Sequence, residues 1–432
     1  MSDKLNNREI PEGWLNKQLV SFTNHIQSGG TPKSDNPNFY NGDIPFVAID
    51  DLTSTSKYLI KTKKNITIQG LKNSAAWEVP VNSLMYSIYA TLGVPRINKI
   101  KAATNQAILN IVPNDNIISL EFLYYLLLEK RSSILAHSAH TTQSNLNAKI
   151  VKELEFIFPK SLTEQKKIAE ILSKVDRAIE QTQSLIDKYG RIKTGLMQDL
   201  LTKGIDENGN IRSEETHEFK DSELGSIPKE WDCLSLDKLS RLKSGGTPSR
   251  QRDDFWNGSI PWVRTAEVSY NLINNTLEKI TKKGLNNSSA TLFPKGTILM
   301  ALYGQGRTRG RVAILDIEAT TNQACVGFTN LRNIQTYFLY YLLMNEYNKL
   351  RDLSNDGAQK NLSARLLNDY IIKIPVEKKE QIKIENILLS NDEKIIVEKT
   401  KLKKLHSLKT ALMQDLLSGK KRVTNLIQEE AL

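Results

Sequence analysis

Gln27-Ser28-Gly29-Gly30-Thr31-Pro32 returns 216 positions later as Lys243-Ser244-Gly245-Gly246-Thr247-Pro248. At the same offset, Phe39-Tyr40-Asn41-Gly42-Asp43-Ile44-Pro45-Phe46-Val47 returns as Phe255-Trp256-Asn257-Gly258-Ser259-Ile260-Pro261-Trp262-Val263. Phe122-Leu123-Tyr124-Tyr125-Leu126-Leu127 returns as Phe338-Leu339-Tyr340-Tyr341-Leu342-Leu343, and Gln143, Asn145 and Leu146 return as Gln359, Asn361 and Leu362. Thr104-Asn105-Gln106-Ala107 and Thr321-Asn322-Gln323-Ala324 lie 217 apart, which needs one inserted residue. Ordered matches from end to end of a 432-residue chain mark a tandem duplication. One fold is therefore read twice, and a pseudo-twofold molecule is expected. Twofold proteins suit twofold or split targets such as duplex DNA.

Each copy has two parts. In the first, segments 44–49, 65–69, 84–88 and 107–112 are rich in β-branched and aromatic residues and are punctuated by Gly, Pro and Asn. They read as strands and turns. A helix is predicted over 119–135 with Ser119 as N-cap, and its copy over 335–350. Each first part is thus an α+β globular domain.

The second part is one long helix. Ser161-Leu162-Thr163-Glu164 reads as a capping box ahead of a periodic run. Positions spaced 4-3 follow: Ile168, Leu172, Val175, Ile179, Thr182, Ile186, Tyr189, Lys193, Leu196 and Leu200. The second copy gives Ile384, Leu388, Asn391, Ile395, Glu398, Leu402, Leu405, Lys409, Leu412 and Leu416. Such sustained spacing predicts a coiled-coil seam. A run of roughly 38 residues at ~1.5 Å each makes a rod of roughly 57 Å. Two such rods are expected to pair antiparallel; the alternative is a long helix packed on its own domain. Asn391 and Glu398 on the seam point to a specified register or to space for a partner helix. The rods end alike: Lys193-Thr194-Gly195-Leu196-Met197-Gln198-Asp199-Leu200-Leu201 returns as Lys409-Thr410-Ala411-Leu412-Met413-Gln414-Asp415-Leu416-Leu417.

These patterns divide the chain into a first globular domain (1–160), a long helix (161–203) and a polar Gly/Asn-rich linker (204–218). A second domain (219–376), a second long helix (377–418) and a tail (419–432) follow. For the tail, support of the paired helices or contact with a partner is expected.

The charge balance is 59 basic against 48 acidic, net +11, with a pI near 9.3. Residues 1–160 carry 17 basic and 13 acidic groups and residues 217–376 carry 21 and 16, so the excess sits mainly in the two globular parts. A pI above ~9 is a footprint of nucleic-acid binding. Hydrophobic residues at 39% and charged residues at 25% are ordinary for a soluble chain. The apolar runs fall short of the ~20 residues that cross a bilayer, and MSDKLNNREI carries no apolar leader, so a cytoplasmic protein is expected. Two cysteines, Cys233 and Cys325, rule out a disulfide scaffold and a Cys-rich zinc site.

Catalytic chemistry is hard to place. His137 and His140 have metal-like spacing, but the copy has Leu353 and Asp356 there, so no metal is expected. No phosphate-binding Gly-x-x-x-x-Gly-Lys-Ser/Thr loop occurs. Gly304-Gln305-Gly306-Arg307-Thr308-Arg309-Gly310 misses the dinucleotide spacing; Arg307, Arg309 and Arg311 suit phosphate or guanine better. Asn36-Pro37-Asn38-Phe39 approaches the tetrapeptide with which amino-methyltransferases hold a target amine, but its copy, Arg252-Asp253-Asp254-Phe255, loses it. What recurs is polar: Ser-Gly-Gly-Thr-Pro, Asn-Gly-x-Ile-Pro, Thr-Asn-Gln-Ala and Gln-x-Asn-Leu. The Gly-Gly and Asn-Gly pairs read either as turns, with Gly-Gly supplying unusual φ, or as part of a binding edge. Gln143 and Gln359 either cap a short helix or reach an adenine edge.

The duplicated Ser-Gly-Gly-Thr-Pro, Ile-Pro-Phe/Trp-Val, Gln-x-Asn-Leu and Leu-Met-Gln-Asp-Leu-Leu, with an Ile-Pro-x-x-Trp opening at 10–14 and 227–231, resemble the specificity (S) subunit of type I restriction–modification systems over essentially the whole chain. The resemblance implies two target-recognition domains, each reading half of a split DNA sequence, and paired helices that fix the spacer. It implies docking of two modification (M) subunits, which bind S-adenosylmethionine and methylate adenine. Restriction (R) subunits join for ATP-dependent translocation and cleavage. The S subunit itself has no active site and holds no cofactor. Loops expected to face DNA in the first domain carry Thr31, Lys33, Asp50, Asp51, Tyr89, Thr91, Arg96, Gln143, Ser144 and Asn145. In the second they carry Thr247, Ser249, Arg250, Arg264, Thr265, Tyr303, Gln305, Arg307, Arg309, Gln359 and Lys360. Lys and Arg in this set are expected on phosphates rather than bases. The domains differ at most of these positions, so an asymmetric target is expected. Competing readings are a stand-alone sequence-specific DNA-binding protein, a single-chain methyltransferase and a coiled-coil adaptor.

Overall fold

The computed structural model describes residues 10–138, 146–304, 307–353 and 362–429. The chain divides into two compact units, Met1–Gln183 with Thr400–Leu432, and Ser184–Lys399. The division falls inside the long helices, so each unit holds one globular domain, the start of one helix and the end of the other.

In unit 1, Thr23–Ser28, Ile108–Pro113, Leu84–Ser87, Pro95–Asn98 and Tyr58–Leu59 form a five-stranded sheet in that order. Its neighbours are antiparallel except the last pair. Lys64–Ile66, Tyr40–Val47 and Ala103–Thr104 form a three-stranded sheet, and Trp14–Gln18 pairs with Glu155–Pro159. Unit 2 repeats all three: Arg241–Ser244, Cys325–Thr329, Ile298–Ala301, Val312–Leu315 and Leu272–Ile273; then Glu278–Ile280, Trp256–Val263 and Thr320–Thr321; then Trp231–Ser235 with Ile371–Pro375. An extra hairpin, Phe219–Ser222 with Gly225–Pro228, lies in unit 2.

The middle strand reads as a solid apolar run because both its faces are covered. Strand side chains alternate. Leu84 and Tyr86 enter the main core with Phe122, Leu123 and Tyr125, whereas Met85 enters a smaller core with Val47, Leu52 and Val79. Ile298 and Met300 against Leu299 and Ala301 repeat the split. Burying one such large side chain contributes about 1.5–3 kcal/mol.

The first domain helix is Leu120–Ser138. The single helix predicted over 335–350 is two pieces, Thr336–Asn345 and Tyr347–Asp352. Glu346, at ψ 5°, separates them, and its carboxylate accepts from Tyr370 Oη at 2.6 Å. The strand expected over 44–49 begins earlier, at Tyr40, because Asn41-Gly42 forms a bulge: Tyr40 and Ile44 both face Ile66.

The long helices are Leu162–Leu200 and Lys378–Leu417. Every seam position named from the sequence is withdrawn from solvent to some degree. Ile168, Leu172, Thr182 and Leu200, and Ile384, Leu388, Asn391 and Leu416, are buried. Val175, Ile179, Ile186, Leu196, Ile395, Leu402, Leu405 and Leu412 are half-buried. The lysines that interrupt the pattern are paired. Lys409 Nζ lies 2.6 Å from Asp176 in unit 1, and Lys193 Nζ lies 2.7 Å from Asp392 in unit 2. Asn391 Nδ2 donates to the Tyr189 carbonyl at 3.2 Å. Within unit 1, Asp176 meets Lys409 while the earlier Glu164 meets the later Arg422, so the segments run antiparallel. Each helix also packs its first turns on its own domain: Ile168 and Leu172 join the core of Phe122 and Tyr125. Both packings coexist.

The capping box is half present. Glu164 N–H donates to Ser161 Oγ at 3.4 Å, but the Glu164 carboxylate grips Arg422, at 2.6 and 2.8 Å. Glu380 likewise receives Arg212, Trp231 Nε1 and the Ile205 N–H. The tail therefore has a counterpart in the linker. Each leaves its helix through a left-handed glycine, Gly204 at φ 67° or Gly419 at φ 73°, and supplies an arginine to the opposing helix start.

A buried glutamine welds domain to rod in each unit. Gln165 accepts from Ser119 N–H at 2.7 Å and donates to the carbonyls of Ile117 and Pro159. Gln381 does the same with Gln335, Asn333 and Pro375. Gln381→Ala leaves three backbone groups unmet and is expected to cost about 2–4 kcal/mol, read as a lower midpoint in thermal unfolding. Gly195, with open space around its Cα and an alanine in the other copy, should behave oppositely. Gly195→Ala should stabilise by about 0.5–1 kcal/mol in the same assay.

Candidate nucleic-acid interface

Strand register brings the sequence-predicted loops to one end of each domain. Ser28 faces Leu109, Ser87 faces Ile108, Tyr86 faces Pro95 and Val47 faces Thr104. The chain leaving Ser28, Val47 and Ser87 and entering Ile108 is thus clustered. In unit 2 Ser244 faces Val326, Ala301 faces Cys325, Met300 faces Val312 and Val263 faces Thr321.

The recurring polar motifs tie that end together. Gly30 N–H donates to Thr104 O at 2.9 Å, Gly29 N–H to Ile108 O at 3.1 Å and Asn105 N–H to Val47 O at 3.1 Å. Gly246, Gly245 and Asn322 repeat these bonds to Thr321, Cys325 and Val263. Thr31 and Thr247 donate their hydroxyls to the side chains of Gln106 and Gln323. The expectation that Gly-Gly supplies unusual φ is corrected: none of the four glycines has positive φ. They allow close approach. A Cβ on Gly30 would lie 2.6 Å from the Ala75 backbone, and one on Gly246 would lie 2.4 Å from that of Ser289. In the Asn-Gly bulges the asparagine takes the left-handed conformation, with Asn41 at φ 59° and Asn257 at φ 58°. Asn36 caps the turn Pro37–Phe39 by accepting from the Asn38 N–H, which gives that tetrapeptide a structural job.

The candidate residues separate by exposure, although Thr31 and Arg250 are both exposed and internally bonded. Thr31, Lys33, Asp50, Tyr89, Ser249, Arg250, Tyr303 and Arg307 are exposed. Tyr89 and Tyr303 are true counterparts. Each follows a residue whose N–H bonds Ala107 or Ala324 and precedes a left-handed residue, Ala90 or Gly304. Four candidates need correction. Asp51 is only 4% exposed; its oxygens accept from the Ala48 and Lys63 N–H groups, as those of Glu267 do from Arg264 and Leu277. Arg96 binds the Thr55 and Pro95 carbonyls, and burial pushes its pKa down. Arg309 is buried against the Arg351 carbonyl, and Thr265 bonds Asn322. Thr91 and Thr247 are half-buried, the Thr91 carbonyl accepting from Ser87 Oγ. Register also separates Arg96 from the arginine loop: Gly93 and Gly310 are equivalent, each left-handed and bonded to Ser87 or Ala301, so Arg96 falls beyond that loop.

Gln143, Ser144, Asn145, Gln305, Gln359 and Lys360 lie outside the described residues, as does His140. Their neighbours Leu146 and Leu362 donate to the Ile88 and Leu302 carbonyls, one residue before Tyr89 and Tyr303. Among the described residues no group of His, Cys, Asp and Glu is placed to hold a metal ion, and no helix is long and apolar enough to cross a membrane.

Sequence reading missed Glu278, Trp256 and Trp262. Arg250 lies 3.6 Å over the Trp256 ring, 4.9 Å from that of Trp262, and its Nη1 and Nη2 reach Glu278 at 2.5 and 3.2 Å. It also missed Asp176 and Asp392, whose common offset of 216 matches that of Lys193 and Lys409.

The model of the type I restriction modification DNA specificity domain matches this chain twice, at residues 11–188 and 228–407. The chain belongs to this family. The type I restriction enzyme MjaIX specificity subunit of Methanocaldococcus jannaschii is 26% identical over 422 residues, covering 97% of this chain and 96% of the relative. The EcoR124I/EcoR124II specificity subunit of Escherichia coli is 23% identical, covering 79% and 84%. The crystal structure of the type I S subunit from M. genitalium shares the fold at TM-score 0.60 and 17% identity, over 96% of this chain and 97% of that one. The doubled match agrees with the 216-residue repeat, and the α+β class with paired long helices stands.

Gly246→Ala forces backbone apart at this end of the second domain. It is expected to cost about 2 kcal/mol or more, seen as a lower melting midpoint and faster amide exchange in 244–250 and 287–291.

Proposed function

We propose that this chain is the DNA-reading subunit of a type I restriction–modification enzyme, each unit reading one half of a bipartite, asymmetric target. One observation carries the reading. The same scaffold presents different exposed chemistry at equivalent positions of the two units: Lys33, Ser34 and Asp50 stand where Ser249, Arg250 and Ala266 stand in the other. A fixed frame with variable edges is what reading two unlike half-sites requires. Tyr89 and Tyr303 offer exposed aromatic faces for bases or sugars, and Lys33 and Arg307 suit phosphates. The family match supports the rest. The chain is non-catalytic; two M subunits supply S-adenosylmethionine-dependent adenine methylation, and R subunits supply ATP-dependent cleavage. The complex works in the cytoplasm, on double-stranded DNA.

The test is co-purification with the M subunit, followed by methylome sequencing of cells with and without this chain. A split, asymmetric methyl-adenine motif that requires the chain is expected. Tight, specific DNA binding with no M association would favour the stand-alone DNA-binding protein. In the assembled complex, Lys33→Ala is expected to weaken binding to cognate and random duplexes alike. The slope of log K against log salt should fall by about 1, measured by fluorescence anisotropy across a salt series.

A further inference from the structure

Unit 2 holds two arginines, Arg250 and Arg264, that share the carboxylate of Glu278. The Arg250 guanidinium is stacked on Trp256 and paired through both terminal nitrogens to Glu278. The rings are themselves fixed: Trp256 Nε1 donates to Ser249 O at 3.1 Å and Trp262 Nε1 to Gly246 O at 3.0 Å. Arg264 Nε lies 3.8 Å from the same Glu278 and equally 3.8 Å from Glu267. The hydrogen bond from Arg250 pulls the Glu278 pKa below the ordinary carboxylate value, so Glu278 is ionised at neutral pH.

Unit 1 shows the cluster is not part of the common scaffold. Register matches Trp262 with Glu278 and Phe46 with Lys64, so the position of Glu278 is a lysine in unit 1. The positions of Arg250, Trp256, Trp262 and Arg264 hold Ser34, Tyr40, Phe46 and Ala48. All five members are peculiar to the second unit, and the Glu-for-Lys exchange reverses the charge.

An arginine already satisfied by a carboxylate gives up that pair when it binds a phosphate. Every DNA sequence offers phosphates, so the carboxylate penalises random contacts in particular. A base edge with two acceptors, such as guanine O6 and N7, replaces both bonds when presented in register. Resting on the function proposed above, we propose that Glu278 is a specificity-determining residue of unit 2, competing with DNA phosphate for Arg250 and Arg264 and so suppressing non-cognate binding.

The experiment uses the full chain assembled with its M subunits and two duplexes, one carrying the motif found by methylome sequencing and one of random sequence. Glu278→Gln keeps the shape and removes the charge. It is expected to tighten random-duplex binding about two- to fivefold at low salt, steepen the salt slope by about 1–2 and lower the cognate-over-random ratio. Adding Arg250→Ala should abolish the gain. Unchanged random-duplex affinity and slope in Glu278→Gln overturn the inference, and so does a gain of the same size without Arg250. If the wild-type assembly does not distinguish the duplexes, the functional reading falls and takes this inference with it.

Discussion

Asp176 and Asp392 each join three parts of the molecule at one carboxylate. Asp176 accepts from Tyr125 Oη at 2.7 Å and meets Lys409; Asp392 accepts from Tyr341 Oη at 2.7 Å and meets Lys193. The tyrosine comes from the domain helix, the aspartate from the long helix that follows it and the lysine from the other long helix. These side chains are only 17–26% exposed, so desolvation offsets much of the attraction and the pairs' net contribution to stability is small. Their value is geometric. Sliding one helix past the other leaves a lysine on an apolar seam and an aspartate without its cation, whereas an all-leucine seam tolerates several registers. The domain helix is locked to that register through its tyrosine.

The buried glutamines finish the job at the rod start. Gln165 and Gln381 use donor and acceptor capacity on backbone groups that would otherwise be unmet. Orientation of each domain on its long helix is thereby set by satisfied polar bonds rather than by apolar contact alone, which is less directional. The knotted Gly-Gly, Thr-Asn-Gln and Ile-Pro segments extend the same logic to the loops. Backbone-to-backbone bonds hold the frame, so exposed side chains such as Lys33 and Arg250 can differ without disturbing it.

Much of this was legible because duplication supplies an internal comparison. The seam was readable from 4-3 spacing, and even its breaks were informative: Lys193 and Lys409 interrupt it at equivalent places. What periodicity cannot show is the partner, since Asp176 and Asp392 sit one position off the seam. The loops that gather at one end of each domain were legible as a set, but not which of their side chains are free. Asp51 looked as available as Asp50; only three-dimensional placement shows it buried and bonded to two backbone N–H groups. Constant-offset alignment failed in the loops around 90 and 305, where insertions move Arg96 out of equivalence with Arg307 and Arg309. The broken helix at Glu346 escaped notice because Tyr370, which holds it, is distant in sequence.

Net charge does not distinguish the two units at the positions of the Glu278 cluster. At the five exchanged positions unit 1 offers a single cation, Lys64, and unit 2 offers Arg250 and Arg264 against Glu278, so both sum to one positive charge. Recognition depends on where fixed donors point and what they must release. Lys64 is a compact charge on a flexible stem, whereas Arg250 is a planar fork clamped between an indole and a carboxylate. Two clusters of equal net charge thus differ in the constraint on each charge rather than in its number, and it is the constraint that would let them distinguish one DNA sequence from another.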